Sequence, residues 1–444
     1  MTYKIGQRYF LMIILFVFFF QGIIYAKPNL QKDPDWLVDE ELSGHIDGWN
    51  EGVIKCMPPT GGYNVLTDKQ TILNSWGYKA RPMEEIKHLL PGPQYELFNH
   101  PEIWGTFRIN ETDYNAAAPR GAKWEKYLTS SKKNIGVVSV DEKGGLRKYS
   151  NGIPFPELDE KDPMIGIKLI WNYYKRFQGD DRIVLIDITT KDRRGGERHN
   201  LIDQRRMRMN GRNNAHHPIY SPNPKKIDYF YTAIYVAPYN LRGTLPLYYR
   251  YLDPDKSDDM WIYIPSIRRV RRMSTAQHQD RFPGGLDWTY DSTEGFEGKV
   301  NNFIWSFLGR KELLNPVLSH NHCYFNPKGF LNGMDQYYQR RNCYVIKATY
   351  KSPINMHEMI LYLDPELYSC CFSVDTDIKG RNWIVQCIHN GRDKDWYYTM
   401  YTDFAADILR KHVSRACFAH SGNNQRYESK DFTMDNLKKI FLAR

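Results

Sequence analysis

Nine apolar segments rich in β-branched and aromatic residues follow one another between residues 182 and 388, each about a strand long and each ended by a turn-rich break. They are Arg182–Thr189, Ile227–Val236, Leu245–Leu252, Asp258–Ile264, Phe303–Leu314, Cys343–Tyr350, Glu358–Leu363, Tyr368–Val374 and Asn382–Ile388. The breaks include DPDKSDD (Asp253–Asp259) and DIKGRN (Asp377–Asn382). Strands in series with short connections predict antiparallel hairpins in one curved sheet, a mainly β fold. The stretch Asp403–His412 fits helix and strand equally well.

Among these segments, DDMWIYIPSIRRVRRMS (Asp258–Ser274) says most about chemistry. Trp261, Ile262, Tyr263 and Ile264 are β formers on both faces, so the strand is covered on both sides or lines a cavity. Pro265 ends it or places it at an edge. Arg268, Arg269, Arg271 and Arg272 then send two guanidiniums to each face around Val270. An apolar strand beside a basic rim suits an amphiphile with an acidic head. These arginines are candidates for holding such a head or docking an anionic partner; structural pairing at a strand end is the alternative.

A helix is predicted from Asp162, a natural cap, with Pro163 at its first position and Gly179 closing it. Ile167, Ile170, Trp171, Tyr174 and Phe177 form its apolar stripe. The stripe fits a lid over a ligand cavity, and equally an ordinary packing helix. Arg81–Leu90 carries a shorter helix signal, stopped by Pro91–Pro93. The rest of residues 27–162 is rich in turns and reads as an irregular extension packed on a main domain at 163–444.

The formal net charge is +10, and Lys191–Lys226 concentrates it, with ten Lys or Arg against three acidic residues. That segment reads as a solvated insertion, or as a patch for anionic head groups or an acidic partner. Nucleic acid is excluded, because no recognition fold accompanies the charge. The seven cysteines leave at least one without an intramolecular partner, and adjacent Cys370 and Cys371 point to opposite faces of a strand. HNHC (His320–Cys323), His216 with His217, and Met207 with Met209 lack the recurrent spacing of a metal site. No metal, cofactor or catalytic residue is expected, since no nucleophile elbow, phosphate loop or dinucleotide fingerprint occurs in a suitable context. The carboxylates Asp287, Asp291, Glu294 and Glu297 are expected to cap turns or pair with Arg268–Arg272.

Several stretches together carry a resemblance: the Asp258–Ser274 strand, PGGLDWTYDSTEGFEG (Pro283–Gly298), SNGIPFPEL (Ser150–Leu158), IWNYYKRFQG (Ile170–Gly179), FLGRKELLNP (Phe307–Pro316) and ATYKSPINMHEMILYLDPE (Ala348–Glu366). In order, from about Ser150 to about His389, they resemble a bacterial family of unknown function described as outer-membrane lipoprotein-sorting-protein-like and allied to LolA and LolB. The resemblance implies a periplasmic, half-open antiparallel β-barrel with helices plugging its mouth and a greasy interior. Lys4 and Arg8 before the apolar run Tyr9–Phe20, followed by Ala26, independently have the layout of a secretory signal peptide over residues 1–26. A retained anchor is the alternative, although the run is short for a spanning helix.

The expected function is binding and carriage of a hydrophobic ligand, a lipid or lipid-like amphiphile. By the resemblance, an inner-membrane transporter is the donor and the outer membrane the acceptor. The candidates for the cavity wall are Tyr235, Tyr249, Tyr251, Trp261, Tyr263, Tyr344, Tyr362, Phe372 and Trp383, with strand parity left open. The alternative is a non-catalytic periplasmic scaffold that holds a partner protein in its apolar concavity.

Overall fold

The structure is a computed structural model that describes residues 64–66, 83–104, 108–111, 122–213, 219–317, 335–392, 398–423 and 427–442. Residues 1–26 and 320–323 lie outside it, as do Cys56, His216 and His217. Two short strands, β1 (Asn64–Leu66) and β2 (Arg108–Glu111), and a small hairpin of β3 (Ser139–Val140) and β4 (Leu146–Arg147) precede the main meander. A first run of antiparallel neighbours comprises β5 (Asp181–Lys191), β6 (Glu197–Arg208), β7 (Ile227–Ala237), β8 (Leu245–Tyr251), β9 (Asp259–Ile264) and β10 (Arg269–Arg272). A second comprises β11 (Phe303–Asn315), β12 (Asp335–Tyr350), β13 (Met356–Leu363), β14 (Cys370–Asp377), β15 (Asn382–Arg392), β16 (Tyr398–Asp407) and β17 (His412–Asn423).

β17 pairs with β5, Ile188 opposite Ala416, and joins the two runs into one sheet. β2 pairs in parallel with the first residues of β12. No described pairing joins β10 to β11, so the sheet is unclosed: a mainly β, half-open arrangement.

The two faces carry separate cores because side chains alternate along each strand. On the inner face Val184, Ile186, Ile188, Ile202, Met359, Leu361, Ile384 and Ile388 meet the helix Ile165–Tyr174 and the segment from Phe282 to Phe303. Beneath the outer face of β12–β16, the 3-10 helix Met83–Leu89 and the helix Gly92–Phe98 pack on Phe372, Val374, Val385 and Phe404. Gln94 pins that layer by donating to the carbonyls of Ser373 (2.9 Å) and Gln386 (3.0 Å). Under β6–β9, Phe432 and Leu437 of the C-terminal segment cover Met207, Phe230, Leu245 and Leu247.

Several expectations are corrected. The segment Lys191–Lys226 is not one insertion, because Glu197–Arg208 is β6, a strand inside the sheet. Arg205, Arg206 and Arg208 are buried there, each with a polar partner in reach, such as Asp203 for Arg205 at 2.8 Å. Asp162 accepts from the Met164 N–H at 2.8 Å, yet the helix starts at Ile165 and ends at Tyr174, so Pro163 and Gly179 lie outside it. Its deepest residues are Ile165, Leu169, Ile170 and Tyr173, one step round from the predicted stripe. The Asp403–His412 stretch is the end of β16, a turn and the start of β17. A second helix follows Pro91, since Pro93 suits a helix start.

Candidate ligand-binding site

The inner face is where a curled sheet can shelter a guest, and the segment Phe282–Phe303 occupies it. Tyr173 of the helix donates its hydroxyl to the carbonyls of Glu294 and Phe296, both at 2.9 Å. Phe296 is fully buried among the rings of Tyr174, Phe303 and Trp305, with centroids 5.9, 5.0 and 5.1 Å away. Gly295 has φ +92°, and a Cβ there would fall 2.6 Å from Cys370 Sγ, so only glycine brings the plug this close to β14.

Charge is buried with the plug. Glu294 accepts from Arg182 at 3.0 Å and Arg176 at 3.2 Å. Burial alone would raise its pKa, but the guanidiniums of Arg182, Arg206 and Arg176 outweigh it and hold the carboxyl at about 2. On neighbouring inner-face positions, Asp375 and Asp403 are pushed well above the carboxylate range, first by burial and then by a nearby carboxylate: Asp403 for Asp375, Glu294 for Asp403. Asp291 accepts from Tyr350 at 2.9 Å and lies 3.2 Å from His278 Nδ1. Asp287 binds Arg281 (2.7 Å), His412 (2.7 Å) and Ser414 (2.6 Å). Glu297 accepts from the Tyr229 hydroxyl. Pairing with Arg268–Arg272, one of the expectations from sequence, is therefore not what these four carboxylates do: the plug turns them inward, where Arg281, Arg176 and Arg182, His278 and His412, and the hydroxyls of Tyr229, Tyr350 and Ser414 hold them.

The inner face is filled. Between plug and sheet the described residues leave a cavity of about 50 Å³, walled by Ile186, Ile188, Ile202, Ala233, Leu286 and Phe418, with Glu294 and Asp403 at its side. That is near the size of a single water and far below the roughly 300 Å³ at which ligand pockets begin. A larger cleft of about 450 Å³ opens at one end of the sheet, between the β3–β4 hairpin, the helix and the β8–β9 turn. Trp171, Tyr174, Tyr229 and Tyr251 supply its aromatic walls, Lys175, Arg250 and Lys299 its cations. Lys175 is buried against Asp228 at 2.8 Å; burial lowers its pKa while Asp228 opposes the shift.

Strand parity divides the predicted cavity wall. Tyr235, Tyr344 and Trp383 belong to the inner core; the Tyr235 hydroxyl donates to Pro283 O at 2.8 Å. Tyr249, Tyr251, Trp261 and Tyr263 lie in the opposite core under the C-terminal segment, where Tyr249 donates to Phe432 O at 2.6 Å. Tyr362 and Phe372 face the layer at Met83–Phe98. Alternating residues such as Tyr248 and Met260 face inward instead. Of the predicted stripe, Ile170 and, beyond the helix end, Phe177 are buried, Ile167 is partly buried against the same core, and Trp171 and Tyr174 reach the end cleft. Arg269, Arg271 and Arg272 stand exposed on β10, with Arg268 in the turn before it at φ +49°. Arg272 pairs with Asp259. The sequence reading missed Arg176, Arg182, Asp375 and Asp403, whose one signal was a charged residue inside an apolar strand or beside a helix end.

A family profile described as "Protein of unknown function (DUF1329)" matches residues 79–438. The chain belongs to the DUF1329 family. No curated protein matches it. Similar solved structures include a domain provisionally assigned to outer membrane lipoprotein sorting in Vibrio parahaemolyticus, at 15% identity and a TM-score of 0.47, covering 62% of this chain and 98% of that one. A DUF1329 protein from Desulfovibrio piger matches at 13% and 0.47, over 61% and 97%. A LolA superfamily protein from Nitrosomonas europaea matches at 14% and 0.39, over 59% and 93%.

Proposed function

We propose that this DUF1329 chain is a non-catalytic carrier of a hydrophobic ligand, a lipid or lipid-like amphiphile, in the periplasm. In this reading the guest's apolar part lies on the inner face of the sheet after the plug has moved aside. The observation that carries the reading is that an unclosed sheet keeps its apolar inner face covered by a helix and a loop rather than by a second sheet. Such a cover can leave without breaking a strand ladder, and it uncovers a largely apolar face with Asp375 and Asp403 set in it.

The energetics favour a carrier that fills itself when empty. An acyl chain of about 14 carbons gains roughly 11 kcal/mol on leaving water, at about 0.8 kcal/mol per methylene. An empty hollow of that extent would itself be costly, so Phe282, Leu286, Trp288 and Phe296 standing in for the guest keep the unloaded form stable. The family resemblance suggests an inner-membrane transporter as donor and the outer membrane as acceptor, and transfer down an affinity gradient needs no nucleotide.

Solvent extraction of the natively purified protein followed by mass spectrometry tests the reading. The expected result is a stoichiometric lipid, displaced by added fatty acid, with Phe296→Ala exchanging it faster. A lipid-free protein that retains one polypeptide through purification would instead support the partner-binding scaffold.

A further inference from the structure

Antiparallel alternation places every second connection of this sheet at the same end. Six turns meet there: residues 192–196, 238–244, 265–268, 351–355, 378–381 and 408–411. Five of the six present a large exposed apolar residue. Tyr239 is 92% exposed at the tip between β7 and β8, and Ile378 is 57% exposed between β14 and β15. Ile267, Ile354 and Leu409 occupy the corresponding tips of the β9–β10, β12–β13 and β16–β17 connections.

Each apolar tip has a basic neighbour in its own turn: Arg242 beside Tyr239, Arg268 beside Ile267, Lys351 beside Ile354, Lys379 and Arg381 beside Ile378, Arg410 and Lys411 beside Leu409. The sixth turn adds Arg193 and Arg194. These six turns are under a tenth of the chain, yet hold nine Lys or Arg and one Asp. That Asp192 is committed to its own turn, accepting from the N–H groups of Arg194 (2.8 Å) and Gly196 (2.9 Å). Arg193, Arg194, Arg268, Lys379 and Lys411 form no ion pair within 4.0 Å among the described residues, Arg194 feeling only the field of Asp192 in its own turn. Two of the turns, with the plug segment, enclose an open groove of about 380 Å³ whose lining includes Arg193, Arg194, Arg281, Arg410 and His412.

We propose that this rim is a membrane-docking surface for an anionic phospholipid bilayer. Bulky apolar tips each set among cations match the layered chemistry of a lipid interface, acyl region below and phosphate above. A folded acidic protein would be met by cations alone and gives no role to Tyr239 or Ile378. Charge complementarity also fixes which end docks. At the opposite end the Leu252–Asp258 connection exposes Asp253 and Asp255 against Lys256, Asp258 and Asp364 are buried on Arg250 and Arg341, and the β6–β7 connection adds Arg212, Lys225 and Lys226, so acid and base are mixed there. The inference does not depend on lipid carriage, since a scaffold would dock in the same way.

Vesicle co-sedimentation of the purified full chain tests it. We expect binding to vesicles of phosphatidylcholine and phosphatidylglycerol in equal parts, weak binding to phosphatidylcholine alone, and loss of the difference at high salt. Each cation near such a surface contributes roughly five-fold in partition, so Arg193→Gln, Arg194→Gln, Lys379→Gln and Lys411→Gln together should weaken anionic binding about 600-fold. Tyr239→Ser with Ile378→Ser and Leu409→Ser should weaken it about ten-fold or more while leaving the circular dichroism spectrum unchanged. The control Lys225→Gln with Lys256→Gln, at the far end, should change nothing. Equal binding to both vesicle types, or rim variants that bind like the parent, would overturn the proposal. So would no vesicle binding at all, which would leave an acidic polypeptide as the occupant.

Discussion

Charged and apolar groups are used in opposite ways in the plugged inner face and at the hairpin rim. Inside, Glu294 is held by two guanidiniums and Phe296 by three rings, so each group has its partner within the chain. At the rim, Tyr239 and Ile378 stand in solvent beside Arg242 and Lys379. The difference teaches that stability and recognition are carried by separate parts of this fold. Substitutions should sort the same way.

The largest effect should come from Glu294→Gln. It leaves Arg176 and Arg182 buried without a full counter-charge, and about 3–5 kcal/mol of stability should go, read by urea denaturation. A loss below about 1 kcal/mol would break the comparison at its interior end. The same carboxyl gives a pH signature. Its folded pKa of about 2 lies below the unfolded value, so its stabilisation is present above the ordinary glutamate range and lost as pH falls from 4.5 towards 2. The acid limb of the denaturation profile should therefore flatten in Glu294→Gln.

Next in size is Phe296→Ala, which should cost about 3 kcal/mol through the cavity it opens in the plug. Asp403→Asn should act more weakly and with the opposite sign. A raised folded pKa means that the native state holds its proton longer than the unfolded chain, so native stability falls as pH rises above the unfolded value. The amide removes that dependence, and melting temperatures of variant and parent should meet below pH 4 and separate in the variant's favour towards pH 8. Smallest of all, Ile378→Ser should shift stability by no more than about 0.5 kcal/mol in the same denaturation series, because its side chain is more than half exposed. A large shift there would show that the rim tip is part of the core after all.

What the sequence revealed follows the same division. Strands such as Met356–Leu363 were legible because their apolar residues alternate or run without interruption. β6 was not, because Arg205, Arg206 and Arg208 are buried on its two faces, and a local reading of ERHNLIDQRRMR shows neither that Asp203 folds onto Arg205 nor that Gln178 meets Arg206 and Arg208. The aromatic residues of β8 and β9 were recognised as buried, but which face they took depended on the C-terminal segment that covers Tyr249. The plug was visible only as a Gly-rich carboxylate cluster, since Arg176 and Arg182 are more than a hundred residues away from Glu294 in the chain. Rim tips escaped notice because a lone Ile in a turn has no pattern until the topology gathers six turns at one end.

The pairing of β5 with β17 sits in the middle of the sheet, yet its partners come from opposite ends of the domain, Ile188 against Ala416. During synthesis β5 therefore waits with one side unpaired until β17 has been made. A product cut short before His412 would offer that bare ladder to any passing strand. Whatever folds this chain thus has a defined hazard to cover: without β17 the two runs of strands never become a single sheet.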